Sequence, residues 1–124
     1  MTATRVHLVL ASLMGAAGVA LLALGAHVAG ALVNTAGQML LLHAPAIFAA
    51  TLARKTGHLN GRLALLAIGG LILGVVLFAG DLSMRELAGQ RLFAMAAPIG
   101  GALTIAGWVL LTIAALVPER PQAR

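Results

Sequence analysis

Cysteine and tyrosine are absent from this 124-residue chain, and only three acidic residues are present. Without cysteine there is no disulfide, no zinc–thiolate site and no thiol nucleophile. The three acids, Asp81, Glu86 and Glu119, fall at the ends of apolar runs. No carboxylate therefore stands inside a run, where it would mark a proton or cation path. Charged residues make up 9% of the chain, against about 25% in soluble domains. Aromatics make up only 3%. The net charge of +5 rests on eight Lys/Arg scattered at segment ends without aromatic interleaving, which does not make a nucleic-acid face. Ser12 and Ser83 lack a matching His/Asp set, and no glycine-rich phosphate loop follows a strand pattern. These absences predict a protein that is not an enzyme, with no cofactor, no metal site and no nucleic-acid partner.

What is present is hydrocarbon. Hydrophobic residues reach 61% and mean hydropathy is +1.05. Such a chain exposes more apolar surface than water tolerates, so lipid is its solvent. Four apolar runs follow one another, and a helix needs about 20 apolar residues to cross the hydrocarbon core. The runs predict an all-α, four-transmembrane-helix bundle in one integral-membrane domain, residues 1–124, with helices near 6–33, 37–53, 62–80 and 92–117. A cleavable signal peptide, with Leu8 to Leu24 as its apolar core and Ala29-Gly30-Ala31 as its cleavage site, is disfavoured because the apolar run is long for one.

The first two runs read as a hairpin turning at Asn34-Thr35. His27 and His43 stand eight residues either side of Thr35, which would bring both rings to one depth. Neutral imidazole is a haem or metal ligand, and two at matched depth could also line a solute path. Against this, each ring can be satisfied by a backbone carbonyl, by Gln38, or by the other through water. Pro45 interrupts the second run and frees the Leu41 carbonyl, a kink that membrane helices tolerate.

The third run carries Gly70-x-x-x-Gly74, a spacing that lets a second helix approach closely. Asp81 to Arg91 reads as a short interfacial helix or turn, with Asp81 and Arg85 spaced i,i+4. The fourth run opens on Pro98, Gly100 and Gly101, which we assign to helix packing, and contains Trp108. Trp108 lies too deep for an interfacial belt, so its indole N–H needs a partner. Thr104 and Thr112 stand four residues away on either side. The tail PERPQAR is polar and expected to be disordered.

Four crossings place both termini and the second connection on one side. That side holds six Lys/Arg, namely Arg5, Arg54, Lys55, Arg62, Arg120 and Arg124, and the other holds Arg85 and Arg91. The positive-inside rule then puts the termini in the cytoplasm, N-in and C-in.

Several stretches in succession resemble the small integral-membrane proteins of domain-of-unknown-function family 423, to which the animal transmembrane protein 256-like proteins are related. They are Gly25-Ala26-His27, His43-Ala44, Phe78-Ala79-Gly80, Ala97-Pro98-Ile99-Gly100-Gly101 and Ala106-Gly107-Trp108. The resemblance implies a four-helix protein of the bacterial inner (plasma) membrane and supplies no activity, substrate or cofactor. It draws attention to Gln38, which stands farther from His43 than the family's glutamine-to-histidine spacing implies. The expected role is a structural or accessory membrane subunit, in contact with the lipid bilayer and with a second copy or a larger membrane complex. The alternatives are a transporter or channel for a small solute lined by the His27/His43 hairpin, and a haem-binding membrane anchor. His27, His43, Gln38, Asp81 and Trp108 are the candidate functional residues.

Overall fold

A computed structural model describes residues 1–27 and 30–119. These residues form four helices: α1 (Ala3–His27), α2 (Ala31–Lys55), α3 (Gly61–Leu87) and α4 (Ala96–Leu116). Each is long and apolar enough to cross a membrane, and no strand occurs among the described residues. The helices form two hairpins, α1 against α2 and α3 against α4, joined along α2 and α3. The core lies along that join, where Ile47, Ile68, Leu71 and Val75 are fully buried. The outer faces of α1 and α4 carry Leu13, Val19, Ile105 and Leu116, each more than half exposed. Apolar side chains on an outer face belong in hydrocarbon, and this arrangement suits a bilayer.

Each hairpin closes on glycine. A Cβ on Gly74 would lie 2.6 Å from Thr104 Oγ1 and 2.7 Å from the Thr104 nitrogen. One on Gly100 would lie 2.7 Å from both the Gly74 carbonyl oxygen and the Phe78 nitrogen. The corresponding contact in the first hairpin pairs Gly18 with Gly37, where an added Cβ would lie 3.0 Å from the opposing carbonyl oxygen in either direction. Backbones approach this closely only where no side chain intervenes. Gly70 and Gly101 are looser, since a Cβ there meets its nearest atoms at 3.8 and 3.9 Å. Pro98 sits in the first turn of α4, where a missing N–H leaves no intrahelical bond unmade.

The helix boundaries correct the sequence reading in three places. Asn34 and Thr35 do not form the turn but lie in the first turns of α2, which opens at Ala31 rather than near 37. Asn34 N–H donates to the Gly30 carbonyl (3.1 Å), and the Thr35 hydroxyl donates to the Ala31 carbonyl (3.0 Å). Polar side chains at a helix start reach water or nearby backbone, so they need not break the helix. The first helix accordingly ends at His27 rather than near 33. Its expected continuation through residues 28 and 29, and Ala29 of the disfavoured cleavage site, lie outside the described residues.

Secondly, α3 runs on to Leu87. Asp81 to Leu87 are its last turns rather than a separate interfacial element, and Ala88 to Met95 form the connection. Thirdly, α4 opens at Ala96 rather than near 92, after Met95 in a left-handed conformation (φ 68°). The expected tail beyond Glu119, with Arg120 and Arg124, also lies outside the described residues. α2 continues unbroken through Pro45.

The first N–H groups of a helix, like those of the connection before it, have no intrahelical partner and need one elsewhere. All three acids serve this need. Glu86 Oε2 accepts the Val33 N–H at the start of α2 (2.9 Å). Glu119 Oε2 accepts the Gly61 N–H at the start of α3 (2.6 Å). Asp81 Oδ1 accepts the Leu92 N–H in the connection before α4 (2.9 Å). Gly30 leaves room for the first of these, because a Cβ there would lie 2.6 Å from the Glu86 carboxyl carbon. The end of α2 is closed by its own backbone: His58 N–H donates to Ala53 and Gly57 N–H to Arg54, with Gly57 at φ 80°. That is a Schellman motif, and the left-handed position favours glycine.

A histidine–tryptophan link at mid-membrane

His43 is the middle residue of the 25-residue α2. At about 1.5 Å per residue it lies roughly 18 Å from either end. Trp108 stands within two residues of the middle of the 21-residue α4. The indole Nε1–H of Trp108 donates to His43 Nε2 at 3.1 Å, with ring centroids 5.8 Å apart and planes tilted by 57°. On the other side of the imidazole, Nδ1 lies 2.8 Å from the Met39 carbonyl oxygen.

The tautomer follows from these partners. A carbonyl only accepts and an indole N–H only donates. Nδ1 therefore carries the proton, Nε2 keeps its lone pair, and the ring is neutral. The Met39 carbonyl, the imidazole and the indole form one polar chain crossing from α2 to α4. Because both ring nitrogens are occupied, neither is free as a ligand. His43 is buried at 8% exposure, whereas Trp108, at 43%, turns part of its ring outward. An unbonded indole N–H or imidazole nitrogen at this depth would be left in hydrocarbon, and each satisfies the other.

Thr104 and Thr112 are not the partners of the indole. Each hydroxyl donates four residues back along its own helix, Thr104 to Gly100 (2.8 Å) and Thr112 to Trp108 (3.1 Å). Hydroxyls on helices commonly bond this way, which leaves them unavailable to a neighbouring ring. Thr51, fully buried, does the same toward Ile47 (2.7 Å).

The remaining candidates are not brought to this link. His27 is the last residue of α1 and is exposed. In the register fixed by Gly25 against Asn34 and Gly15 against Ala44, His27 stands level with the start of α2. About eleven residues of helix then separate its level from that of His43, roughly 16 Å. The matched depth expected for the pair fails because the chain turns before Ala31. Gln38 is exposed on α2, and the His43 ring bonds Met39 and Trp108 rather than Gln38.

Asp81 is buried at 1% exposure. It takes the Leu92 N–H rather than pairing with Arg85, and its Oδ2 has no hydrogen-bond partner among the described residues. Among the described residues no group of three or more His, Cys, Asp or Glu is placed to hold a metal ion.

The sequence reading did not single out His7. It is buried at 8% exposure, with Nδ1 unpartnered among the described residues, on the face of α1 formed by His7, Ala11, Met14 and Gly18. Those four residues recur at helical spacing, and that signal was available in the chain itself.

The family model described as a protein of unknown function, DUF423, matches residues 14–101. That is more than half of the chain, and the chain belongs to this family. It is similar to the UPF0382 inner membrane protein YgdD of Escherichia coli (strain K12), 42% identical over 50 residues, or 40% of this chain and 38% of the relative. It is also similar to the UPF0382 membrane protein SH2409 of Staphylococcus haemolyticus (strain JCSC1435), 49% identical over 43 residues, or 35% of each. The matched stretch thus spans less than half the length of these curated relatives. No solved structure matches the chain.

Proposed function

We propose that the chain is a non-enzymatic accessory subunit of the bacterial inner membrane, with its termini in the cytoplasm. It contributes a preformed helical surface to a larger membrane assembly or to a second copy of itself. The observation that carries this reading is the self-contained mid-membrane link. The polar side chains at its level are bonded within the chain, His43 to Met39 and Trp108 and Thr104 and Thr112 to their own helices. A subunit that works by packing has this economy. Its outward faces on α1 and α4 are then free to meet lipid or another helix.

The inner-membrane placement is supported by the printed name of the E. coli relative. The orientation is supported by Arg5, Arg54, Lys55 and Arg62 at the end where α1 begins and α3 begins. Purification in mild detergent followed by native mass spectrometry and in-membrane cross-linking tests the reading. A stoichiometric membrane partner or a defined oligomer is expected, and recovery of monomer alone by both methods overturns it. Reporter fusions at either terminus are expected to be active only in the cytoplasm.

A further inference from the structure

The two helices of the second hairpin differ in length, 27 residues in α3 against 21 in α4. At about 1.5 Å per residue α4 spans roughly 31 Å, the thickness of the hydrocarbon core, and α3 exceeds it by roughly 9 Å. The start of α3 is level with the end of α4, since the Asn60 N–H donates to the Ala114 carbonyl (2.8 Å). The excess therefore lies at the other end, where the apolar run of α3 closes at Gly80 and Asp81, Arg85 and Glu86 follow within the helix. Gly100 lies against Gly74 and Phe78. On an antiparallel helix, Ala96 then stands at about the level of Gly80.

The connection has to come back by that excess. It bends after Leu87, with Gly89 at φ 69°, and returns along the last turns of α3. Two contacts fix the returning arm. Asp81 Oδ1 accepts the Leu92 N–H (2.9 Å), and a Cβ on Gly80 would touch the Leu92 side chain at 3.4 Å. Leu92 is thus level with Gly80 and Asp81, nearly two turns below the end of α3. The arm enters α4 through a turn in which the Ala96 N–H donates to the Phe93 carbonyl (3.3 Å). Along it Leu92, Phe93 and Met95 are 45%, 49% and 56% exposed.

We propose that Leu92, Phe93 and Met95 form an apolar wedge seated among acyl chains at the lipid boundary of the leaflet opposite the termini, held there by Asp81. The length of α4 and the end of the apolar run in α3 set the edge of the hydrocarbon at the same level, and the wedge lies at that level. The connection joins two helices that are each able to span the membrane, which places it at a bilayer surface. Apolar side chains presented there bury themselves between headgroups and chains. Arg85 and Arg91 stand above the wedge, where long cationic side chains reach the headgroup layer. Asp81, at 1% exposure, is a positioning residue: it acts on lipid only through the main chain of Leu92.

The chain has no cysteine, so a single introduced cysteine can carry a nitroxide without competition. Phe93→Cys, Gln90→Cys and Ile105→Cys all alter exposed positions. Each full chain is labelled in phosphatidylcholine nanodiscs, and collision with oxygen, which concentrates in hydrocarbon, is compared with collision with a nickel chelate, which stays in water. Ile105, well inside α4, gives the hydrocarbon reference, and Gln90 the headgroup reference. The label at 93 is expected to favour oxygen, as that at 105 does. Nickel access at 93 equal to that at 90 overturns the proposal. Exclusion of both reagents at 93 also overturns it, because protein rather than lipid then covers the arm. Asp81→Ala should raise nickel access at 93 about twofold or more, the scale of one lost hydrogen bond. Asp81→Asn, which keeps an acceptor for the Leu92 N–H, should leave it near the parent value. Equal effects of the two substitutions, or none from either, overturn the role of Asp81.

Discussion

The two hairpins close in the same way but not equally tightly. In α3/α4 an added Cβ on Gly74 or Gly100 would fall within 2.8 Å of opposing backbone or of the Thr104 hydroxyl. In α1/α2 the closest approaches at Gly18 and Gly37 are 2.9 to 3.0 Å. The connections differ in the opposite sense. α1 and α2 are separated by residues 28–30 only, whereas Ala88 to Met95 join α3 to α4. A short connection holds its helices side by side, while a longer one leaves more of the alignment to the contact surface. The second hairpin therefore depends more on its glycines, and on Asp81 holding the Leu92 N–H within the connection.

That contrast can be broken by substitution. Gly74→Val places bulk on the Thr104 backbone and should cost about 3 kcal/mol or more, the upper range for overpacking, measured by denaturation in mixed micelles. Gly37→Ala meets Leu22 and the Gly18 carbonyl at 2.9 to 3.0 Å, and the Leu22 side chain has some freedom to move. We expect a smaller loss of about 1–2 kcal/mol. If Gly37→Ala proves the more damaging, the asymmetry between the hairpins is refuted. Trp108→Phe removes the bond between them and leaves His43 Nε2 bare, at a cost of about 1 kcal/mol in a membrane setting. His43→Phe in the same background should recover part of that loss, since it also removes the orphaned acceptor. Gly70→Ala, with its nearest contact at 3.8 Å, should stay within about 0.5 kcal/mol of the parent. It separates a glycine that matches a spacing from a glycine that makes a contact.

Membrane insertion and the number of helices were legible because both follow from long apolar runs, a property local to each segment. The spacing that named Gly74 and Gly100 named the looser Gly70 and Gly101 equally, whereas the need of Trp108 for a partner was legible from its depth in one such run. The partner itself was not. His43 and Trp108 are 65 residues apart, and their meeting depends on how α2 and α4 lie across α3. The turn was misplaced because Asn34 and Thr35 have the chemistry of turn residues. The start of α2 is closed by the carboxylate of Glu86, 53 residues beyond the Val33 N–H that it accepts. Matching the two histidines by their distance from Thr35 carried that error into the proposed site. His7 shows the converse, since its helical spacing with Ala11, Met14 and Gly18, a signal local to the first run, marks the buried face of α1.

The acids that close the starts of α2 and α3 also set an order of events during synthesis. Val33 N–H can donate to Glu86 only after most of α3 has been made, and Gly61 N–H to Glu119 only after α4 is complete. Each of these two helices therefore enters the bilayer with one early N–H unpaired, although Asn60 already caps the Leu63 N–H of α3, and is finished by a residue of the following helix (α2) or from just beyond it (α3). A ribosome stalled after α2 would release a hairpin with exposed amide hydrogens, a state that a membrane chaperone or protease can distinguish from the finished chain.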